Sequence, residues 1–238
     1  MGEFEGKVVV ITGSTKGIGR ATAQAFEAEG ARVRGMDLQG DCWFTGDVGC
    51  REDLEAFARR LTTEEGRVDV LVNNAPPLMR GLAECTYEEF SRALAVGVTA
   101  PFYLTQLLQP LFAPGASVIN ISSSRDRMSQ PQTESYTAAK GGIHALTHAM
   151  AVSLAGKVRV NSISPGWIDT LSSCLPPEDL WQQPAGRVGK PEDIAALIVF
   201  LAGERAGFIT GENICVDGGM TRQMIYHGEH GWTYVPQR

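Results

Sequence analysis

The sequence has no basic excess: 21 lysines and arginines stand against 27 acidic residues, a formal net charge of -6. That balance excludes a broad cationic surface for nucleic acid or anionic lipid, so an anionic ligand must be held locally. No apolar run is long enough to span a bilayer, and the first residues lack the basic start, apolar core and small-residue site of an export signal. The expectation is a soluble, cytoplasmic protein with no nucleic-acid and no membrane partner. The five cysteines, Cys42, Cys50, Cys85, Cys174 and Cys215, are scattered and form no Cys-x-x-Cys pair, which argues against a disulfide framework or a zinc site. His144 and His148 lie one helical turn apart without the intervening Glu of a zinc protease motif, so no metal is expected. Internal repeats and low-complexity segments are missing too.

What is present is a core. With 43% hydrophobic residues in 238, the chain can bury one large α/β domain. The stretch Val8-Val9-Val10-Ile11-Thr12-Gly13-Ser14-Thr15-Lys16-Gly17-Ile18-Gly19-Arg20 joins a β-branched run, read as a buried strand, to a glycine cluster, read as a turn. If a helix starts near Gly17, its free N–H groups and dipole favour an anion such as a pyrophosphate; a simple tight turn is the alternative. Further strands are read at Ala31–Met36, Trp43–Val48, Val68–Val72, Ala116–Ile121, Val158–Ile163 and Asn213–Val216. Helices are read at Arg20–Glu29, Arg51–Glu65, from Thr86, at Ala100–Leu111, from Tyr136 to about Ala155 and from Pro191 to about Leu201. This alternation predicts a Rossmann-type doubly wound, mainly parallel seven-stranded sheet with helices on both faces. Ligands of such sheets bind beyond the carboxyl ends of the strands, where Gly13, Asp37, Asp47 and Asn74 all fall.

Asp37 ends the second strand about where a dinucleotide fold places an acid for the adenosine ribose. A carboxylate accepts bonds from a 2′-hydroxyl and repels a 2′-phosphate, which favours NAD over NADP. Arg32, Arg34 and Lys16 weigh the other way, and an ordinary loop acid is the plainer reading of Asp37. Tyr136 and Lys140 are four apart and share a face if helical. An ammonium beside a tyrosine favours phenolate, making the phenol a usable proton donor and acceptor. Ser123, at the end of the preceding strand, is suited to hold a substrate oxygen. The same Tyr-x-x-x-Lys spacing also describes any exposed polar helix face. Since no strong nucleophile or metal is present, the difficult chemistry falls to a cofactor.

Taken together, Thr12-Gly13-x-x-x-Gly17-x-Gly19, Asp47-Val48, Asn73-Asn74-Ala75, Ser123, Tyr136-x-x-x-Lys140, Pro165-Gly166 and Val216-Asp217-Gly218-Gly219 closely resemble the short-chain dehydrogenase/reductase family. The resemblance implies an oxidoreductase that interconverts a secondary alcohol and a carbonyl on a small molecule. It makes Tyr136 the general acid/base, Ser123 the group that orients the carbonyl, and Lys140 both ligand of the nicotinamide ribose and tuner of Tyr136. It assigns the pyrophosphate to the turn Gly13, Ser14, Thr15, Lys16, Gly17, Ile18 and Gly19, and adenine to Asp47 and Val48. Asn74 and Ala75 fall to the adenosine ribose region, and Pro165, Gly166 and Ile168 to the nicotinamide end. Relatives of this kind assemble as homotetramers or homodimers, with the alanine- and glycine-rich helix after Tyr136 as the expected interface.

Two positions depart from that pattern. Pro76 and Pro77 follow Asn73-Asn74-Ala75 where a glycine is usual, and Gly97 stands where the family often has an asparagine that holds a water in the proton relay. The second leaves open a catalytically impaired dinucleotide-binding protein, a sensor or scaffold. The domain is expected over residues 1–219, with a substrate loop at 167–190. The tail, 220–238, carries Met224, Ile225, Tyr226, Trp232 and Tyr234, too apolar for a typical disordered segment. It is expected to dock at a pocket or an interface.

Overall fold

The computed structural model describes residues 2–233 and Val235; Tyr234 of the tail lies outside them. Among the described residues seven strands form one sheet in the order β3-β2-β1-β4-β5-β6-β7, every pairing parallel. They are β1 (Val8–Thr12), β2 (Arg32–Asp37), β3 (Phe44–Thr45), β4 (Val68–Asn73), β5 (Phe112–Ile121), β6 (Val158–Pro165) and β7 (Asn213–Val216). The sheet reverses direction of winding between β1 and β4, which creates the crevice at which such folds bind ligands.

Alternation along the strands divides the core in two, because successive side chains point to opposite faces. Val10, Leu71, Val118 and Val160 pack against α2 (Arg51–Glu64), α4 (Ala100–Leu108) and α5 (Glu134–Ser153). Val9, Ile11, Val70, Val72, Ile119 and Ile121 pack on the other face against α1 (Gly17–Ala28) and α7 (Pro191–Ala202). The two shorter helices are α3 (Tyr87–Leu94) and α6 (Pro177–Trp181). Both faces of the sheet are covered, so its strands read as continuous apolar runs and not as polar-apolar alternations.

Several boundaries differ from the sequence reading for local reasons. The third strand shrinks to Phe44–Thr45 at the sheet edge, since only Met36 and Asp37 pair with it. The helix expected from Thr86 is capped there by a reciprocal Thr86–Glu89 box. It runs through a π-helical stretch, Ala95–Thr99, into α4 without a break. α5 begins at Glu134, a half-turn before Tyr136. The loop 167–190 contains α6 and is pinned at its base by an isolated bridge between Ile168 and Gly189.

Candidate active site

The glycine turn leaves β1 at Gly13, where φ is +68, and enters α1 at Gly17, where φ is +52. Gly19 is bare for a packing reason: a Cβ there would stand 2.0 Å from the Gly13 carbonyl oxygen and 2.6 Å from Asn74 Nδ2. The first turn of α1 thus closes on the end of β1. Lys16, the residue before the helix, makes no side-chain cap, so the first N–H groups of α1 are uncapped and directed toward the rim. A cleft of about 850 Å³ opens here, lined by Lys16, Gly17, Arg20, Thr170 and Lys190 among others. Glycines where a side chain would clash and an uncapped helix start fit a dinucleotide pyrophosphate.

Neighbouring residues hold this turn rigid. Asn74 Nδ2 donates to the carbonyls of Thr12 and Gly13 at 3.0 and 2.9 Å. The Asn74 and Ala75 N–H groups donate to Thr12 Oγ1. Ser14 is buried against Gly35, and Ile18 packs on the core. Asp37 Oδ2 accepts from Thr15 N at 2.9 Å and from Thr15 Oγ1 at 2.8 Å. The end of β2 is thereby locked to the glycine turn with its carboxylate at the crevice. Arg32 and Arg34 do not reach it, because both pair with the buried Glu65. Asp47 is engaged by Arg92 at 2.5 Å and by Gly49 N at 2.8 Å. Burial works against its ionisation but is outweighed by these bonds and the Arg92 charge, which hold the carboxyl below its ordinary range. Val48 is half-buried against the core. Gly166 donates to the Val216 carbonyl at 3.0 Å beside Pro165.

Ser123 lies two residues beyond the end of β5 and caps the 3₁₀ turn Ser124–Asp126, and Tyr136 and Lys140 stand on the first turns of α5, which packs beside that strand. Ser123 Oγ accepts from Arg125 N at 3.2 Å, which leaves its own proton to donate. Lys140 is 3% exposed; its Nζ donates to the Ile121 carbonyl at 2.6 Å and lies 5.3 Å from the centroid of the Tyr136 ring. Burial pulls the Lys140 ammonium down to about 7. Burial also pushes the Tyr136 phenol up, against hydrogen bonding with Ser123 and the charge of Arg125, which lower it. The lowering by the Lys140 ammonium that the Tyr136–Lys140 spacing predicts is therefore not what governs the phenol: burial sets the direction of its shift, and the groups that oppose it are Ser123 and Arg125.

The two departures from the family pattern turn out to be one contact. A Cβ on Gly97 would meet Ala139 Cβ at 2.7 Å and the Pro77 ring at 3.2 and 3.3 Å. Pro77 and α5 together occupy the place an asparagine side chain would take. Nothing in the local sequence of any one of the three signals this. A second unforeseen cluster surrounds Asp126, whose side chain is fully buried. Its carboxylate takes bonds from Arg127, Ser164 and Asn213 and pairs with His144 Nδ1 at 2.8 Å. His144 thus belongs to a carboxylate pair. No group of three potential metal ligands occurs among the described residues.

The class is that of a doubly wound Rossmann-type fold with Ser123, Tyr136 and Lys140 beside the carboxyl end of β5. Residues 13–221 match the family model described as enoyl-(acyl carrier protein) reductase. An uncharacterized oxidoreductase of Thermotoga maritima is 42% identical over 94% of this chain and 99% of its own length. The apo structure of an SCOR enzyme from Clostridium thermocellum superposes with a TM-score of 0.90 at 39% identity, covering 98% and 99% of the two chains. The ligand-free aldohexose dehydrogenase of Thermoplasma acidophilum gives 0.88 at 28% identity, covering 94% and 98%. The chain belongs to the short-chain dehydrogenase/reductase family of oxidoreductases. That membership implies a nicotinamide dinucleotide cofactor and a small-molecule substrate.

Proposed function

We propose that the protein is an NAD-dependent oxidoreductase that interconverts a secondary alcohol and a carbonyl. The observation that carries this is the convergence of Ser123, Tyr136 and Lys140 at the rim where the glycine turn opens. When bound, the nicotinamide supplies or accepts the hydride. Ser123 donates its hydroxyl proton to the carbonyl oxygen and orients it. Tyr136 gives a proton to that oxygen in reduction and takes it back in oxidation. Lys140, anchored on the Ile121 carbonyl, sets its amine beneath the tyrosine ring and contacts the nicotinamide ribose. The turn Gly13–Gly19 takes the pyrophosphate, Asn74 and Ala75 border the adenosine ribose, and Asp47 and Val48 border adenine. Pro165, Gly166 and Ile168 line the nicotinamide end.

NAD is favoured over NADP because Asp37 is held at the crevice while Arg32 and Arg34 are engaged by Glu65. The reading includes a cytoplasmic location and assembly as a homotetramer or homodimer through α5. The outward residues of that helix, Ala145, His148, Ala149 and Val152, are exposed in the single chain. The tail after Gly219 is assigned to an interface or a pocket mouth, Met224 and Tyr226 being exposed in the single chain.

The test is NADH consumption over ketones, aldehydes and sugars, with Tyr136→Phe as the control. Loss of turnover of about 100-fold or more, with NADH binding retained, is expected for removal of a general acid. Equal rates in parent and variant would refute the mechanism. One observation favours a second reading, a cofactor-binding protein without turnover: Ala139 and Pro77 close the space at Gly97. Tight NADH binding with no oxidation of any substrate would select that reading.

A further inference from the structure

The proposed chemistry uses only the carbonyl end of a substrate, and the rest of that molecule must be recognised by other groups. Three arginines, Arg80, Arg125 and Arg127, lie in the segments that follow Asn74 and Ser123 along the chain. Arg127 is paired with Asp126 at 3.0 Å, and Arg80 is half-exposed and reaches Glu84 and Glu89 at 3.9 Å. Arg125 differs from both. It lies in the single 3₁₀ turn that follows Ser123, and its backbone N–H is the donor to Ser123 Oγ. Its guanidinium has no carboxylate partner among the described residues. One arm, Nη2, donates to Gln130 Oε1, a neutral group. The other, Nη1, is buried and donates to no group among the described residues. Asp126, the adjacent carboxylate, is held by Arg127, Ser164, Asn213 and His144.

A desolvated donor on a charged, planar fork is costly unless a ligand completes it, and a carboxylate matches that fork in shape and charge. We propose that Arg125 is a specificity-determining residue that binds a carboxylate of the substrate, so that the preferred substrate is an oxo acid or hydroxy acid. The proposal rests on the oxidoreductase reading for its orientation: the carbonyl sits between Ser123 and Tyr136, and the carboxylate reaches back to the turn two residues beyond Ser123. The charge of Arg125 is already felt at Tyr136, where it pulls the phenol down. The guanidinium and the proton donor thus share one field. A bound carboxylate would partly neutralise that charge, which makes substrate binding and the protonation of Tyr136 interdependent.

The experiment compares pyruvate, acetoacetate and levulinate with their methyl esters, which step the carboxylate away from the carbonyl one carbon at a time. Calorimetric affinity in saturating NADH and the rate of NADH oxidation are measured for the parent, Arg125→Gln, Arg125→Lys and Arg80→Gln, with thermal unfolding as the check on folding. At least one acid should bind the parent roughly 10- to 100-fold more tightly than its ester, the range for a bond to a charged group. Arg125→Gln should lose that preference, Arg125→Lys should keep part of it, and Arg80→Gln should keep all of it. If the parent binds no acid better than its ester, or if Arg125→Gln retains the preference, the proposal is overturned. If Arg125→Gln does not fold, the acid-ester comparison in the parent and Arg125→Lys decides. Acid preference without NADH oxidation would uphold the carboxylate site and refute the oxidoreductase reading. Oxidation of NADH with neutral substrates and no acid preference would do the reverse.

Discussion

Replacing Lys140 with methionine should stabilise the ligand-free protein at neutral pH while removing a residue of the proposed site. Between the ordinary lysine value of 10.5 and about 7, the folded protein lowers proton affinity by roughly three and a half decades. At 1.36 kcal/mol per decade that is about 5 kcal/mol of opposition to the buried ammonium, and about 4 kcal/mol at pH 7, where the group is half deprotonated. Methionine fits a similar volume without charge but leaves the Ile121 carbonyl without its donor, a loss of about 1–3 kcal/mol. The net gain is about 2 kcal/mol at pH 7. Its sign follows from linkage: between about 7 and 10.5 the unfolded chain carries the Lys140 proton and the folded chain does not, so parental stability rises with pH. The variant lacks this rise, and the gap should close as pH approaches 10. Urea unfolding followed by tryptophan fluorescence, in roughly one-unit steps from about pH 6 to about pH 10 at fixed protein concentration, measures the difference. A variant less stable than the parent at pH 7, or a gap that does not change with pH, would show that burial does not govern this lysine.

Two further outcomes follow from the crevice. Gly97→Asn should cost about 1–3 kcal/mol by overpacking against Ala139 and Pro77 and should not raise turnover; adding Ala139→Gly should recover part of the thermal midpoint, whereas full stability in the single variant would contradict the packing. Asp37→Asn keeps an oxygen for Thr15 but removes the charge, and should shift the NADP-to-NAD ratio of kcat/KM toward NADP by about tenfold; an unchanged ratio would remove Asp37 from cofactor selection.

Much of this architecture is local and therefore readable from the chain. The buried strands announce themselves as Val8–Ile11 and Val70–Val72, because a parallel sheet covered on both faces needs apolar residues at every position. The Thr86–Glu89 cap and the glycines of the first turn are likewise short-range devices, set by a few adjacent residues. Their order along the chain fixes an α/β sheet and puts Gly13, Asp37, Asn74 and Ser123 at one rim. Other features depend on contacts between residues far apart in the chain. Arg32 and Arg34 look like phosphate ligands until the fold brings Glu65 beside them. Gly97 looks like a missing asparagine until Pro77 and Ala139 close around it. Lys140 looks like an exposed cation until α5 buries it against Ile121. Sequence determined which residues reach the rim, since strand and helix periods are local. Tertiary structure decided which charges there are paired, because a partner across the fold sets the field each group feels.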